Sequence, residues 1–309
     1  MWILVAGFAI MMSIPYLVPG AGLLALTAIV PLLWMDKIAS EHNQKHVWIW
    51  HYSAFVLWNA ISTFWVWNAT AGGAVFAILA NSLQMSAVFG LFRLSKKHYK
   101  GTVPYIFLAV LWIAWERLYF NTQISWPWLT LGNAFARSLS IVQWYEFTGS
   151  LGGSLWIWAC NLTLFGFLCV LSSGSWKNWN LQARISTITL SVILFLAPII
   201  VSEKIWHTYE ETDDPLEVAI LQPNIDPYNK FQALTQSQQN AILINQMRES
   251  LADRIEDTTA ASRPLLVVAP ETFTNDVNAN LIENGYTFNQ FKSFLKPYPN
   301  VNLLFGASY

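Results

Sequence analysis

SLWIWACNLTLFGFLCVL, Ser154 to Leu171, carries no charged side chain over its whole length. A helix rises about 1.5 Å per residue, so such a run with its apolar neighbours reaches the roughly 20 residues that cross a hydrocarbon layer of about 30 Å. Both cysteines of the chain, Cys160 and Cys169, fall inside it. Two cysteines along one helix cannot close a disulfide, so they read as packing residues and the chain offers no disulfide framework.

Six further runs of this kind surround it: Trp2 to Leu17, Ala21 to Met35, Val47 to Val66, Ala74 to Phe92, Val103 to Phe120 and Ile185 to Val201, with the opening run widened to Ser150 to Leu171. Of 309 residues, 54% are hydrophobic and only 11% charged, with 17 tryptophans. Soluble domains carry roughly 25% charged residues, so the composition is that of a membrane protein. The first two runs are short and joined by VPG, which fits a tight hairpin or, for the first run, a cleaved signal sequence. Against the second option, no Lys or Arg precedes the apolar stretch and PYLVPGAG is a poor cleavage site.

Alternate loops differ in charge. DKIASEHNQKH, RLSKKHYKG and SSGSWKNWNLQAR hold two, four and two Lys or Arg, whereas VPG, WNATAGG and the loop from Asn121 to Gly149 together hold only Arg137. Basic loops stay in the cytoplasm. Seven crossings that start inside therefore deliver everything after Ser202 to the extracytoplasmic side, the periplasm in a cell with two membranes.

The exported part changes character. LEVAILQPNI reads as a strand, Phe231 to Glu256 has helical spacing through Leu234, Ile244, Met247, Leu251 and Ile255, and RPLLVVAPETF reads as a second strand. A helix, YTFNQFKSFLK, and a third strand, NVNLLFGASY, follow. Alternation of this kind predicts a mostly parallel sheet covered on at least one face. Chemistry in such sheets gathers at the carboxyl ends of the strands. Glu271, in APET, stands at one. By itself a carboxylate just past a strand is more often a solvated loop residue or a helix cap than a catalyst.

APET after a buried strand, in a segment whose first strand ends LQPNI, resembles the start of the nitrilase, or carbon-nitrogen hydrolase, superfamily, where a Glu at this place is the general base of a Glu-Lys-Cys set. The membrane part narrows the resemblance. ERLYFNTQISWPWLTLGNAFA, Glu116 to Ala136, is similar to the Glu-x-x-Arg-like helix exit followed by Phe/Trp-Pro-Trp-Leu and a Gly found in apolipoprotein N-acyltransferases. The fold implied is an α-helical polytopic membrane bundle of about seven helices over residues 1–201, then over 202–309 the first part of an extracytoplasmic α/β nitrilase-like sandwich (αββα). The activity implied is transfer of an acyl chain from a phospholipid to the N-terminal amine of a diacylglyceryl-cysteine lipoprotein, through a thioester, at the bacterial inner membrane. The resemblance makes Glu271 the catalytic base, which asks for burial around its carboxylate. Trp126, Pro127, Trp128, Phe231 and Asn224 are its expected substrate contacts.

The chain departs from the family pattern twice. A Lys-Trp pair after the first strand reads Lys230-Phe231 here, keeping the aromatic ring and losing the indole N–H. The family's Lys and nucleophilic Cys lie well downstream of the Glu. Lys292 and Lys296 come too soon and read as solvated, and both cysteines are in the membrane. The 309 residues are therefore expected to be inactive alone, as a truncated or broken product or as half of a split enzyme whose second polypeptide supplies the Lys and Cys.

The remaining features point to no cofactor, no metal and no nucleic acid. His42, His46 and His51 lack a completing Cys or carboxylate cluster and read as solvated or interfacial. The paired glycines of TAGGA and GSLGGS read as close helix packing. Glu116 and Arg117, at the outer end of their helix, read as members of separate structural ion pairs. The loop from Asn121 to Gly149, with ISWPW and IVQWYEF, reads either as an aromatic belt in the headgroup zone or as direct substrate contact. A membrane-anchored amidase or nitrilase-like hydrolase, and a non-catalytic membrane scaffold, are the alternative functions.

Overall fold

In the computed structural model, the described residues are 1–307 apart from 124, 212–215, 227–229, 231–232, 257–262, 272, 275–276 and 279, with backbone alone for 253–256. The chain divides into two compact units, Met1–Tyr209 and Glu210–Tyr309.

Unit 1 is helical: α1 Trp2–Leu17, α2 Ala25–Ala28, α3 Val30–Glu41, α4 Val47–Thr63, α5 Ala71–Ser95, α6 Val103–Tyr119, α7 Tyr145–Ser172 and α8 Leu181–Thr208. Among the described residues four stretches are long and apolar enough to cross a membrane: Gly22–Glu41, Ala71–Ser95, Tyr145–Ser172 and Leu181–Thr208. Helix α1 is apolar but shorter, and α4 and α6 have 17 residues each.

The run from Ala21 to Met35 is not one helix. It opens as a 3-10 turn at Gly22–Leu24 and breaks between α2 and α3, where Pro31 has no N–H to continue the ladder. Asn161 of α7 repairs the break, its Oδ1 accepting from Ile29 N–H at 2.8 Å and its Nδ2 donating to the Ala25 carbonyl at 2.8 Å. In an apolar medium every backbone polar group needs a partner of this kind. Helix α7 begins before the expected Ser150 and is kinked at Gly149, and α8 runs beyond Val201 to Thr208.

Lipid tails are as apolar as leucine, so helix association rests on shape and on interhelical polar contacts. The core of unit 1 is aromatic: Phe8 meets Phe55 and Trp58 edge to face, and Trp112 packs on Phe55 and Trp158. Polar rivets cross it. Asn81 Nδ2 donates to Asn59 Oδ1 at 2.7 Å, and Ser62 Oγ donates to Ser13 Oγ at 3.2 Å. Buried Asp36 on α3 is held by Arg93 of α5 and by Lys96 at its C-cap.

These contacts also order the two ends of the bundle. The Asp36 cluster joins the C-terminal ends of α3 and α5, beside the loops richest in Lys and Arg. At the opposite end, Arg137 donates to the Leu17 carbonyl at the end of α1, and Ser202 of α8 donates to the Ser140 carbonyl. The loop between α6 and α7 and the last turns of α8 thus share one end.

His51 corrects its sequence reading: it is buried at 3% exposure, with Nδ1 2.8 Å from Ser86 Oγ. The pattern that put it beside exposed His42 and His46 did not register that it lies one turn inside α4, facing α5. The TAGGA glycines also differ from expectation. Gly72 meets nothing, and Gly73 N–H is taken by the Thr70 cap of α5.

Unit 2 contains β1 Glu217–Ile220, α9 Gln236–Glu256, β2 Leu265–Val268, α10 Tyr286–Leu295 and β3 Val301–Leu304. The strands are parallel in the order β1-β2-β3, with Ala219 and Leu303 flanking Val267. One face is the core. Leu265 and Val267 pack with Leu243, Met247 and Leu251 of α9 and with Phe291 of α10, the α9 residues recurring every fourth position along one stripe. Asn240 ties the helices together, donating to Thr287 Oγ1 at 3.0 Å and Gln290 Oε1 at 2.8 Å. The other face carries Val218, Ile220 and Leu304, all exposed in this chain.

Candidate active site

Unit 2 places Glu271 beyond the carboxyl end of the middle strand. After Val268 the chain stays paired with the residues following β3: Ala269 N–H donates to Leu304 O at 2.8 Å, Gly306 N–H to Pro270 O at 3.1 Å, and Phe273 N–H to Gly306 O at 3.0 Å. Thr274 and Ala307 extend the pairing. Gly306 has to be glycine, because a methyl group there would overlap the backbone carbonyl of Glu271. This close approach fixes the turn that carries the carboxylate.

The Glu271 side chain is exposed, not enclosed. Two residues on, Phe273 and Thr274 turn inward and are buried against Phe291 and Thr287 of α10. Asn224 lies past the end of the neighbouring strand β1, also exposed, in a left-handed conformation with φ of +47° that Asn tolerates. Gln246 of α9 donates to the Gln222 carbonyl at 2.9 Å and anchors that tail. Asn224 and Glu271 therefore sit at the carboxyl ends of adjacent parallel strands. Phe231 lies outside the described residues. Its neighbour Lys230 is half-buried, and burial pushes its ammonium pKa down. Lys292 on α10 and Lys296 just past its end are exposed.

Unit 1 holds the second group of expected contacts. Trp126 and Pro127 are half-buried and Trp128 is exposed. Trp128 packs edge to face on Trp65 at 5.6 Å and on Trp126 at 6.5 Å. Trp65 lies in the 3-10 turn Phe64–Asn68 after α4, within the run from Val47 to Val66 that the sequence reads as one membrane helix. Immediately after these rings the chain dives inward: Leu129, Leu131, Ala134 and Phe135 are all buried. An apolar cleft of about 600 Å³ opens between α7 and α8, lined by Trp144, Gly152, Leu155, Trp156, Leu194 and Pro198.

Glu116 overturns its expected use. It is 1% exposed, forms no ion pair among the described residues, and accepts at Oε1 from Trp112 Nε1–H at 3.0 Å and Leu131 N–H at 2.8 Å. Its neighbour Arg117 is exposed. Adjacent helical positions diverge by about 100°, so one faces the core and the other leaves it.

The model of the apolipoprotein N-acyltransferase N-terminal domain matches residues 6–163, just over half of the chain. The chain belongs to the apolipoprotein N-acyltransferase family. A relative from Chlorobaculum tepidum named apolipoprotein N-acyltransferase is 26% identical over 255 residues, 81% of this chain and 44% of that protein. A Geobacter metallireducens apolipoprotein N-acyltransferase is 25% identical over 186 residues, 60% of this chain and 34% of that protein. The chain thus spans less than half the length of the curated relatives it matches. Because 255 aligned residues exceed the 209 of unit 1, the Chlorobaculum match reaches into unit 2. The apolipoprotein N-acyltransferase assignment accordingly takes in α1 to α7 by the family model and part of the parallel sheet by the relative. Among the described residues no cluster of three His, Cys, Asp or Glu could hold a metal ion.

Proposed function

We propose that this chain supplies the membrane body and the first half of the catalytic domain of an apolipoprotein N-acyltransferase. It acts on a phospholipid acyl donor and a diacylated lipoprotein acceptor at the bacterial inner membrane. Unit 1 makes seven crossings with its basic loops in the cytoplasm. Unit 2 stands on the periplasmic side as the first part of an αββα nitrilase-like sandwich. The placement of Glu271 at the carboxyl end of the middle parallel strand, in a chain of this family, carries the reading. The uncovered apolar face with Val218, Ile220 and Leu304 supports it, since a sandwich needs such a face for its second sheet.

In this reading Glu271 takes the proton of a cysteine thiol, and the thiolate attacks the donor ester. A thioester forms, and the lysophospholipid departs with a proton. The lipoprotein's amine then attacks the thioester and frees the thiol. A free thiol titrates near pH 8.5, so the step needs both a base and a cation to balance charge. Unit 2 contains no cysteine, so the reading assigns the Cys and the Lys to chain outside these residues. Trp126, Pro127, Trp128, Asn224 and Phe231 make the substrate contacts, and burial of Glu271 comes from that same added chain.

The test is complementation of a strain lacking lipoprotein N-acylation. The 309 residues alone give no labelled acyl-enzyme with a fluorescent phospholipid and no triacylated lipoprotein. Co-expression with the unaligned remainder of the Chlorobaculum relative gives both. Failure of that pair, with both proteins present in the membrane, sinks the reading.

A further inference from the structure

Thr130 caps, and Leu131 and Gly132 open, the 3-10 turn Leu131–Phe135 in the buried interior of unit 1, where the first N–H groups of a turn have no partner within it and water does not replace one. Side chains from three helices do so instead. Tyr16 of α1 donates to the Thr130 carbonyl at 3.0 Å, Glu116 of α6 accepts from Leu131 N–H at 2.8 Å, Ser154 of α7 accepts from Gly132 N–H at 3.0 Å, and Tyr145 of α7 donates to the Gly132 carbonyl at 2.9 Å. Glu116 is the one carboxylate of the four. We propose that Glu116 is a positioning residue that fixes where Trp126, Pro127 and Trp128 meet the lipid; the proposal rests on reading that loop as the lipid-contacting element.

The geometry runs from core to loop in three steps. Trp112, 2% exposed and packed on Phe55 and Trp158, donates its indole N–H to Glu116 Oε1 at 3.0 Å and so holds the carboxylate in place. The same oxygen receives Leu131 N–H, an amide on a residue 1% exposed. The Pro127–Leu129 turn lies two residues upstream, closed by Thr130 N–H on Pro127 O at 3.1 Å, so a fixed Leu131 fixes the rings before it. A buried carboxylate costs stability even where its hydrogen bonds are made, and the hold of Oε1 on the loop accounts for its presence.

The experiment uses the full chain in nanodiscs of phosphatidylethanolamine and phosphatidylglycerol containing a photoactivatable phosphatidylethanolamine. Two quantities are read by mass spectrometry: amide exchange across Thr130–Gly132 and lipid cross-linking to the Ser125–Leu129 peptide. Glu116→Leu is expected to speed exchange about tenfold or more and to lose most of the cross-link, while the core of α4 stays protected. Glu116→Gln restores both, because its amide oxygen accepts the same two N–H groups. Glu116→Met, which keeps length without the acceptor, takes the place of the leucine variant should that one unfold. Apolar variants with native exchange and cross-linking overturn the proposal, and so does a glutamine variant that behaves like leucine. A wild-type chain with no cross-link at this peptide overturns instead the reading of the loop as lipid-contacting, and the exchange measurement still decides the anchoring by Glu116.

Discussion

Two glutamates with opposite environments define what single residues do here. Glu116 sits in a helix of apolar residues and is buried; Glu271 follows a buried strand and is exposed. Neither environment follows from the residue type, because burial is set by what packs against a position from distant parts of the chain. In the proposed reaction Glu271 is the base, so Glu271→Gln in the complementing pair is expected to cut N-acylation about 100-fold or more, with lipid cross-linking at Ser125–Leu129 unchanged. Triacylated lipoprotein counted by mass spectrometry checks this, and full activity in the glutamine variant removes Glu271 from the mechanism. Gly306 was not legible as important from the sequence. Its role is a backbone approach between two tails, and Gly306→Ala is expected to cost about 1–3 kcal/mol. Faster amide exchange at Phe273 and Gly306 is the measurement.

At the level of elements, periodicity and length found the helices of unit 1 and the strand–helix alternation of unit 2. The run from Trp2 to Leu17 is α1 to the residue, and YTFNQFKSFLK contains α10. The second apolar run was misread as continuous. Pro31 is visible in the sequence, but a proline is tolerated in a membrane helix when a neighbour re-satisfies the freed backbone, and that neighbour, Asn161, lies 132 residues from Ile29. No local pattern reports such a partner. Asn161→Ala strands a buried Ile29 N–H and the Ala25 carbonyl, with an expected loss of about 1–3 kcal/mol. Thermal unfolding in nanodiscs reads it, and an unshifted midpoint removes Asn161 as the splint. The same limit explains His51 and the aromatic pair of Trp65 with Trp128, both made by elements distant in sequence.

For the whole molecule, loop charge carries the proposed orientation of the bundle. Basic loops gather at the end held by the Asp36 cluster, and the aromatic loop lies at the other. Periplasmic placement of the aromatic end predicts that, with both native cysteines replaced by alanine, Asn68→Cys reacts with a membrane-impermeant maleimide in intact spheroplasts. His98→Cys reacts only after lysis. The reverse pattern refutes the orientation and with it a periplasmic unit 2.

Composition and apolar run length are properties of the chain in order, so the sequence by itself determined a helical membrane bundle followed by a small α/β segment. The WPWL and PET stretches named the family on the same terms, because motifs are read without coordinates. Only the tertiary structure decided that Glu116 is buried and accepts from Trp112 and Leu131, that Asn161 splints a broken helix and that Glu271 stands exposed beyond the middle strand. Those outcomes depend on which distant groups share space in a medium without water, and a hydrogen bond or a burial made across the fold leaves no trace in the neighbouring letters.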